Sequence, residues 1–179
     1  MEKHVCIIGI LVNQKSENAP KVQQILTKYG SLILLRSGIP YSKCDRGIIN
    51  LTVEATPDEL DSMNKELSII EDIVVKSMIL ANNGLEAWNY LEKVFSDMGA
   101  NFTEQVQLVI TDIEMPKMDG HHLTKRIKEH TELAKLPVVI FSSLITDDLL
   151  HKGEAVGADA QISKPQYPTL INTVDKLIL

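Results

Sequence analysis

Three residues whose side chains can take part in phosphoryl chemistry stand at the ends of apolar stretches. Asp112 follows Leu108-Val-Ile-Thr111, Ser142 ends Val138-Val-Ile-Phe-Ser142, and Lys164 ends Ala160-Gln-Ile-Ser-Lys164. If these stretches are parallel strands, their carboxyl ends meet at one edge of a sheet. Phosphoryl transfer needs a positioned nucleophile and groups that neutralise the phosphoryl oxygens. The pattern therefore predicts Asp112 as a phosphoacceptor, with Ser142 and Lys164 beside it.

Each of these residues also has an ordinary structural explanation. A carboxylate after a strand can cap a loop, a serine there is often only a strand-end hydroxyl, and a lysine is often a solvated charge. The loop Met115-Pro-Lys-Met-Asp-Gly120 and the order of the three residues along the chain favour the functional interpretation. His121 and His122 begin the next helix, and we expect them on a solvated helix face rather than in catalysis.

Alternating helices and strands must position these residues. Apolar spacing predicts a helix at Leu85–Met98, a strand at Leu108–Thr111, helix and strand pairs at 120–130 with 137–142 and at 147–156 with 159–163, and a last helix at Tyr167–Ile178. Such alternation is typical of a parallel sheet covered on both faces. Residues 81–179 are therefore predicted to form one α/β domain.

Residues 1–80 predict a different arrangement. Strands are expected at His4–Val12, Leu32–Arg36, Ile48–Glu54 and Ile69–Leu80, with helices after the first and third strands. Thr56-Pro-Asp-Glu59 is a strong start for the second helix, because Thr56 and Glu59 can form a capping box. The order βαββαβ predicts a ferredoxin-like domain, a fold that by itself specifies no function.

Composition excludes several classes of protein. The 179 residues carry a net charge of -6, so direct binding to nucleic acid is not expected. No apolar run is long enough to span a membrane, and the N-terminus lacks a signal-like segment, which predicts a cytoplasmic protein without membrane insertion. Cys6 and Cys44 are too few for a disulfide framework, and their spacing with His4 does not indicate a metal site.

The second half resembles a known family at these same residues. Ile110-Thr-Asp-Ile-Glu-Met-Pro116, Phe141-Ser-Ser-Leu144 and Gly157-Ala-Asp-Ala-Gln-Ile-Ser-Lys-Pro165 are similar to the CheY-like receiver domains of response regulators, especially those of CheV-type chemotaxis proteins. The resemblance implies a flavodoxin-like fold in which Asp112 accepts phosphate from a histidine kinase. It also implies that Ser142 and Lys164 contact the phosphate, and that Asp112 and the backbone carbonyl of Glu114 bind Mg²⁺. An enzyme acting on a separate substrate is not expected.

The first half resembles a second family. Ile33-Leu-Leu-Arg-Ser-Gly-Ile-Pro-Tyr41 and Gly47-Ile-Ile-Asn50 are similar to small ACT-like proteins described as regulators of iron-only hydrogenase systems. Members of that family have ferredoxin-like folds that are expected to pair through their sheets. The resemblance therefore implies a homodimer through the ACT-like sheet, without indicating a ligand.

The chain departs from the receiver pattern in two respects. Receivers open with a strand that ends in an acidic pair for Mg²⁺, but this resemblance begins only near Ile79, and the chain's first strand ends in Leu11-Val-Asn-Gln14 without a carboxylate. Asp112 and Glu114 alone predict a weak or absent Mg²⁺ site and impaired phosphorylation. Gln161 replaces the aromatic switch residue of many receivers, which argues against signalling by aromatic rotation.

Two functional interpretations therefore stay open. The first is a phosphorylatable signalling module that acts on a chemotaxis protein or another partner. The second is a scaffold that is not phosphorylated and dimerises through its ACT-like sheet. In either case the chain joins two families near Ser77–Ala81, as a natural recombinant or an engineered chimera. Because a receiver without its first strand has unpaired backbone groups, we expect one continuous sheet or a tight interface.

Overall fold

The computed structural model describes residues 3–13, 18–41 and 46–178, and it divides into two compact units between Ala81 and Asn82. The helices and strands, in chain order, are β1 (His4–Asn13), α1 (Ala19–Lys28), β2 (Ile33–Tyr41), β3 (Arg46–Ala55), α2 (Pro57–Ser68), β4 (Ile73–Ile79), α3 (Gly84–Met98), β5 (Val109–Thr111), α4 (Gly120–Glu129), β6 (Val138–Ser142), α5 (Asp147–Ala155), β7 (Ala160–Ser163) and α6 (Tyr167–Ile178). Among these described helices, none combines the length and the apolar character that crossing a membrane requires.

The first unit contains an antiparallel sheet with the strand order β2-β3-β1-β4. The ladder between β1 and β3 runs from His4 opposite Ala55 to Asn13 opposite Arg46. The other side of β1 pairs with β4, where Cys6 lies opposite Ile79. Because β3 and β4 are each antiparallel to β1, these two strands run in the same direction, and α2 connects them. The predicted ferredoxin-like βαββαβ unit is confirmed.

One face of this sheet is buried beneath α1 and α2. Alternate residues of β1 point into this core, as expected for a strand whose two faces differ. The fully buried members include Cys6, Ile8, Ile10, Val22, Leu26, Leu51, Val53, Leu60, Met63 and Leu67. The predicted capping box at the start of α2 is also confirmed, because the Glu59 N–H donates to Thr56 Oγ1 and the Thr56 N–H donates to Glu59 Oε2.

Cys6, a buried residue of this core, has an unreactive thiol. Cys6 is buried, and burial raises the pKa of its thiol to about 11. The thiolate is the reactive form, so this side chain is inert at neutral pH. Cys44 lies outside the described residues.

The second unit contains a parallel sheet with the strand order β5-β6-β7. All residues of β6 are buried, as expected for the central strand of such a sheet. One face packs against α3 and α4, where Trp88, Leu91, Leu123 and Ile127 are buried. On the other face, Val139, Phe141 and Ile162 pack against α6. The predicted alternation of helices and strands, without the first strand and helix of a receiver, is confirmed.

The two sheets are separate in the part of the chain that the structure describes. Of the two predicted alternatives, the continuous sheet is therefore wrong, and the tight interface stays a prediction. The outer edges of β2 and β4 carry no strand of the parallel sheet, and β1 and β3 already have a strand on each side within the antiparallel sheet. Their backbone N–H and C=O groups are satisfied there and are not available to a further strand.

Candidate phosphoacceptor site

The parallel sheet brings the three predicted residues to one edge. Asp112 directly follows β5, Ser142 is the last residue of β6, and Lys164 directly follows β7. The registers place Thr111 opposite Ile140 and Ser142 opposite Ser163, so the carboxyl ends of the three strands are adjacent. The strand order of the second unit therefore creates the site from residues that are far apart in sequence.

Asp112 is the acceptor of every short hydrogen bond in this cluster. Ser142 Oγ donates to Asp112 Oδ1 over 2.5 Å, and the Ile113 N–H donates to the same oxygen over 2.7 Å. Lys164 Nζ lies 2.5 Å from Asp112 Oδ2 and forms an ion pair with it. The structure thus supplies a hydroxyl and an ammonium group within reach of any group that becomes bonded to Asp112.

The surroundings of Asp112 keep its carboxyl ionised. Burial acts to raise the pKa of Asp112, but the hydrogen bonds from Lys164, Ser142 and Ile113 outweigh burial and lower the pKa below its usual range. The ionised carboxylate is the nucleophilic form at neutral pH. Because the folded-state pKa is depressed, the stabilisation from this cluster is present above the unfolded pKa of about 4 and is lost as the pH falls through the folded value.

The loop after Asp112 is held against two helices. Asp119 caps α4, since its Oδ1 accepts a hydrogen bond from the His122 N–H over 2.8 Å. At the other side, the Gly84 N–H at the start of α3 donates to the Met118 carbonyl over 3.2 Å. Lys117, between these anchors, has a φ of 63°, a conformation that is uncommon outside glycine. Hydrogen bonds to α3 and α4 therefore hold the loop Met115–Gly120 in place beside Asp112.

The sequence did not predict that Gly120 lies against the backbone of Asp112. A Cβ atom at Gly120 would lie 2.0 Å from the Asp112 carbonyl oxygen and 3.1 Å from Thr111 Oγ1. The only sequence signal for this approach is an Asp-Gly pair at a helix start, which is also common where no close approach occurs. The small residue lets α4 begin directly against the backbone of the phosphoacceptor.

Gly120→Ala should therefore destabilise the second unit by about 2 kcal/mol, because the new methyl group overpacks against rigid backbone. Urea unfolding monitored by the fluorescence of buried Trp88 measures this loss. Gly30→Ala is the control, since a Cβ atom there meets nothing within 4 Å. Equal and small effects of the two substitutions would show that the backbone at Asp112 yields easily.

Few side chains near Asp112 can hold a metal ion. Asp112 Oδ1 accepts two hydrogen bonds and Oδ2 accepts one, and the side chain of Glu114 is exposed, while the predicted role of the Glu114 backbone carbonyl stays a prediction. Within residues 3–13, 18–41 and 46–178, no group of three or more His, Cys, Asp or Glu side chains is placed to bind a metal. Mg²⁺ requires near-octahedral oxygen ligation and is usually held through carboxylates. The residues present do not fit a tightly bound Mg²⁺ ion.

The two histidines after Gly120 differ from each other. His122 is exposed, as predicted, and its Nδ1 lies 2.8 Å from Asp119 Oδ2. His121 is buried, so the prediction of a solvated face is wrong for this residue. Its Nε2 lies 3.3 Å from the Leu149 carbonyl oxygen of α5, and burial lowers the pKa of its imidazole. The helix turns this residue toward α5, which sequence spacing alone did not indicate.

A parallel α/β sheet with an ionised aspartate, a hydroxyl and an ammonium group at its carboxyl edge defines a receiver-type domain. Residues 51–175 match the response regulator receiver domain family, which is more than half of the chain. The chain belongs to this family. Residues 4–77 match the TM1266-like family, described as an iron-only hydrogenase system regulator. Both resemblances predicted from the sequence are confirmed.

Individual proteins and structures are also similar to this chain. Chemotaxis protein CheV3 of Helicobacter pylori is 28% identical over 102 residues, which cover 57% of this chain and 33% of that protein. Response regulator Rre1 of Synechocystis is 30% identical over 130 residues, which cover 72% and 50%. The solved structure of TM1266 from Thermotoga maritima is 28% identical, with a TM-score of 0.44, and covers 45% of this chain and 100% of that one. The chain spans about a third of the length of CheV3 and about half of the length of Rre1.

The two family matches overlap at residues 51–77. The receiver match therefore begins earlier than the predicted start near Ile79 and includes parts of β3, α2 and β4. These elements run strand, helix, strand, and the two strands point in the same direction. The structure assigns them to the antiparallel sheet of the first unit.

Proposed function

We propose that this chain is a two-component signalling receiver in which Asp112 accepts a phosphoryl group, and that its phosphorylation is slow. The observation that carries this proposal is the hydrogen-bonded cluster of Asp112, Ser142 and Lys164 at the carboxyl edge of a parallel sheet. The slowness follows from the donor set, because the described residues offer no acidic cluster that would concentrate Mg²⁺ there.

Asp112, Lys164 and Ser142 have different roles in the proposed phosphoryl transfer. An oxygen of Asp112 attacks phosphorus while the bond from phosphorus to the donor's leaving atom breaks, and an acyl phosphate forms. Lys164 and Ser142, both 2.5 Å from the carboxylate, then donate to phosphoryl oxygens instead. Donors that are already in place stabilise charge that develops in the transition state. The three residues are therefore sufficient for a basal reaction.

The wider role follows from the family and from charge. We propose that a histidine kinase is the physiological phosphodonor, and that the receiver acts by binding a signalling partner in the cytoplasm rather than as an enzyme on a separate substrate. The names of the relatives, a chemotaxis protein and a response regulator, support such partners. A net charge of -6 speaks against direct binding to nucleic acid.

Labelling with acetyl phosphate tests this proposal. We expect Asp112 to be phosphorylated slowly, and saturating Mg²⁺ to change the rate by less than about threefold, because two metal carboxylates that normally help neutralise the transferring group are missing. Intact-protein mass spectrometry with and without Mg²⁺ or EDTA measures both rates. An acceleration of about tenfold or more by Mg²⁺ would show that the site binds the metal well and that the impairment is wrong.

A scaffold that dimerises through the first unit is the second candidate, and one surface favours it. Val5, Ile7, Val74 and Met78 are between 37% and 49% exposed on the face of the sheet that α1 and α2 leave uncovered. Ile7 lies opposite Met78 in the ladder between β1 and β4, so these side chains adjoin. Lys76 lies between Met78 and Val74 on this face, so the apolar patch is centred on Ile7 and Met78. An exposed apolar patch is a common protein interface. A second copy would supply a matching face by two-fold symmetry.

Met78→Lys should then convert a dimer into a monomer, because it places an ammonium group at the centre of the patch, where Met78 adjoins Ile7, and burying an unpaired ammonium group there is strongly unfavourable. Sedimentation velocity over a range of protein concentrations measures the change. Ile69→Lys is the matched control, since Ile69 is 80% exposed and lies outside the sheet. A wild-type chain that stays monomeric at all concentrations would remove the scaffold candidate.

A further inference from the structure

A groove with a volume of about 670 Å³ is lined by the loop after Asp112 and by α4. Its helical side consists of His122, Lys125, Arg126 and Glu129. Steps of three and four residues return to the same face of a helix, so these four side chains form one stripe. The stripe extends for about 10 Å along the helix axis. An elongated groove of this kind fits a stretch of polypeptide better than a compact small molecule.

The groove combines cationic and apolar surface. Residues 82–179 hold nine Lys or Arg residues against fourteen Asp or Glu residues, yet three of these cations, Lys117, Lys125 and Arg126, line the groove. All three are exposed, whereas Met115 and Met118 are half-buried and supply apolar surface. A cationic groove on an acidic domain favours a ligand that carries negative charge.

The two carboxylates of the groove do not cancel its positive charge. Asp119 Oδ2 lies 2.8 Å from His122 Nδ1, and Glu129 Oε1 lies 3.7 Å from Lys125 Nζ. Among the residues that the structure describes, neither Lys117 nor Arg126 forms an ion pair with a carboxylate. The lining therefore keeps a net positive charge even when His122 is neutral, and two of its cations are available to a ligand.

The groove is largely preformed. The guanidinium carbon of Arg126 lies 4.4 Å from the centre of the Trp88 ring, and Trp88 is only 3% exposed. Contact with the ring orders this long side chain without occupying it with a carboxylate. Hydrogen bonds to α3 and α4 hold the loop that carries Lys117. Preorganisation of this kind lowers the entropic cost of binding.

We propose that this groove binds an acidic segment of a partner protein, in which an apolar side chain lies between carboxylates. The carboxylates pair with Lys117 and Arg126, and the apolar side chain packs on Met115 and Met118, because methionine adapts its shape to a ligand. Asp119 and Glu129 in the same lining repel a continuous polyphosphate, which favours a peptide over nucleic acid. The inference goes beyond the proposed function, since the groove does not include Asp112 and binding requires no phosphoryl group.

Binding of short synthetic peptides to the full-length chain tests this inference. The peptides carry Leu or Phe between pairs of Asp or Glu, and matched peptides carry Asn and Gln in place of the acids. We expect the acidic peptides to bind with a Kd of about 100 μM or tighter, and the matched peptides at least tenfold more weakly. The fluorescence of Trp88, the only tryptophan in the chain, measures binding beside Arg126. A Kd above about 1 mM for every acidic peptide would overturn the proposal.

A pair of double variants locates the binding site. Lys117→Glu with Lys125→Glu should weaken binding of the acidic peptides at least tenfold, because both groups line the groove. Lys152→Glu with Lys176→Glu makes the same charge change at exposed positions of α5 and α6 and should leave the Kd within about twofold. Circular dichroism confirms that both double variants are folded.

Two further outcomes would contradict the inference. Equal losses in the two double variants would show that only net charge matters, and tighter binding of oligothymidylate than of the acidic peptides would make nucleic acid the occupant. Acetyl phosphate labelling is measured separately on the wild-type chain. A chain that takes up no phosphate therefore refutes the proposed function, while the peptide data still decide whether the groove binds an acidic segment.

Discussion

Asp112→Asn is expected to reduce labelling by acetyl phosphate at least a hundredfold, to the background of the assay. Asparagine has the same shape and retains an oxygen that can accept from Ser142 Oγ and the Ile113 N–H, but its amide is not a nucleophile. The fold should survive, so the loss reports chemistry and not unfolding. Phosphate incorporation measured by mass spectrometry, followed by peptide mapping, gives the result.

Asp119→Asn is the matched control for this substitution. Asp119 is the nearest aspartate in the same loop, and hydrogen bonds from His122 hold the pKa of its carboxyl below the usual range against the effect of burial. Asparagine also caps helices well, so α4 should be retained. Labelling of Asp119→Asn should stay within about twofold of the wild type. If Asp112→Asn were labelled as fast as the wild type, another residue would be the acceptor and the proposed site would be wrong.

Lys164→Met is expected to slow labelling by about a hundredfold or more, comparable with the loss of one preorganised donor at other sites of charge development. Methionine keeps much of the apolar stem and removes the ammonium group that lies 2.5 Å from Asp112 Oδ2. Initial rates at saturating acetyl phosphate measure the effect. Lys176→Met, at an exposed position of α6, should label like the wild type.

The pH profile separates this role of Lys164 from simple loss of structure. Lys164 is one of the groups that lower the pKa of Asp112, so the pKa of this carboxyl should rise toward its usual range in Lys164→Met. Wild-type labelling should therefore persist to lower pH than labelling of the variant, because the acceptor stays ionised for longer as the pH falls. Identical profiles with only a lower plateau would show that Lys164 does not act on the Asp112 carboxylate.

The sequence predicted the three residues of this site because the ends of its apolar runs mark the carboxyl ends of the strands. Apolar runs that stop at Asp112, Ser142 and Lys164 give both the strands and their carboxyl ends, and parallel pairing then forces the three residues together. The Ile113 N–H donor could not be found in this way, because every residue type has the same amide group. The approach of Gly120 to Asp112 depends on the start angle of α4, which residue types do not specify.

The sequence did not predict whether the strands of the two units pair with each other. The apolar alternation of β3 and β4 fits a strand with one buried face, whether its neighbour is parallel or antiparallel. The partners were decided by β1, whose long ladders occupy both of its sides. The residue pattern of a single strand does not specify which other strand pairs with it. The continuous-sheet alternative failed for this reason. All four strands of the first unit exist, but β2 extends to Tyr41 instead of ending at Arg36, and β4 begins at Ile73 instead of Ile69.

The segment shared by the two family matches has an evolutionary consequence. Residues 51–77 hold the second half of β3, all of α2 and most of β4, and both the TM1266-like and the receiver family match them. Two genes that exchange ends anywhere within such a segment keep the hydrophobic pattern of each parent uninterrupted. A breakpoint there yields a product whose halves both retain a core, whereas a breakpoint inside β6 would destroy the receiver. We therefore expect that a fusion of these two families would be tolerated most easily within this shared stretch.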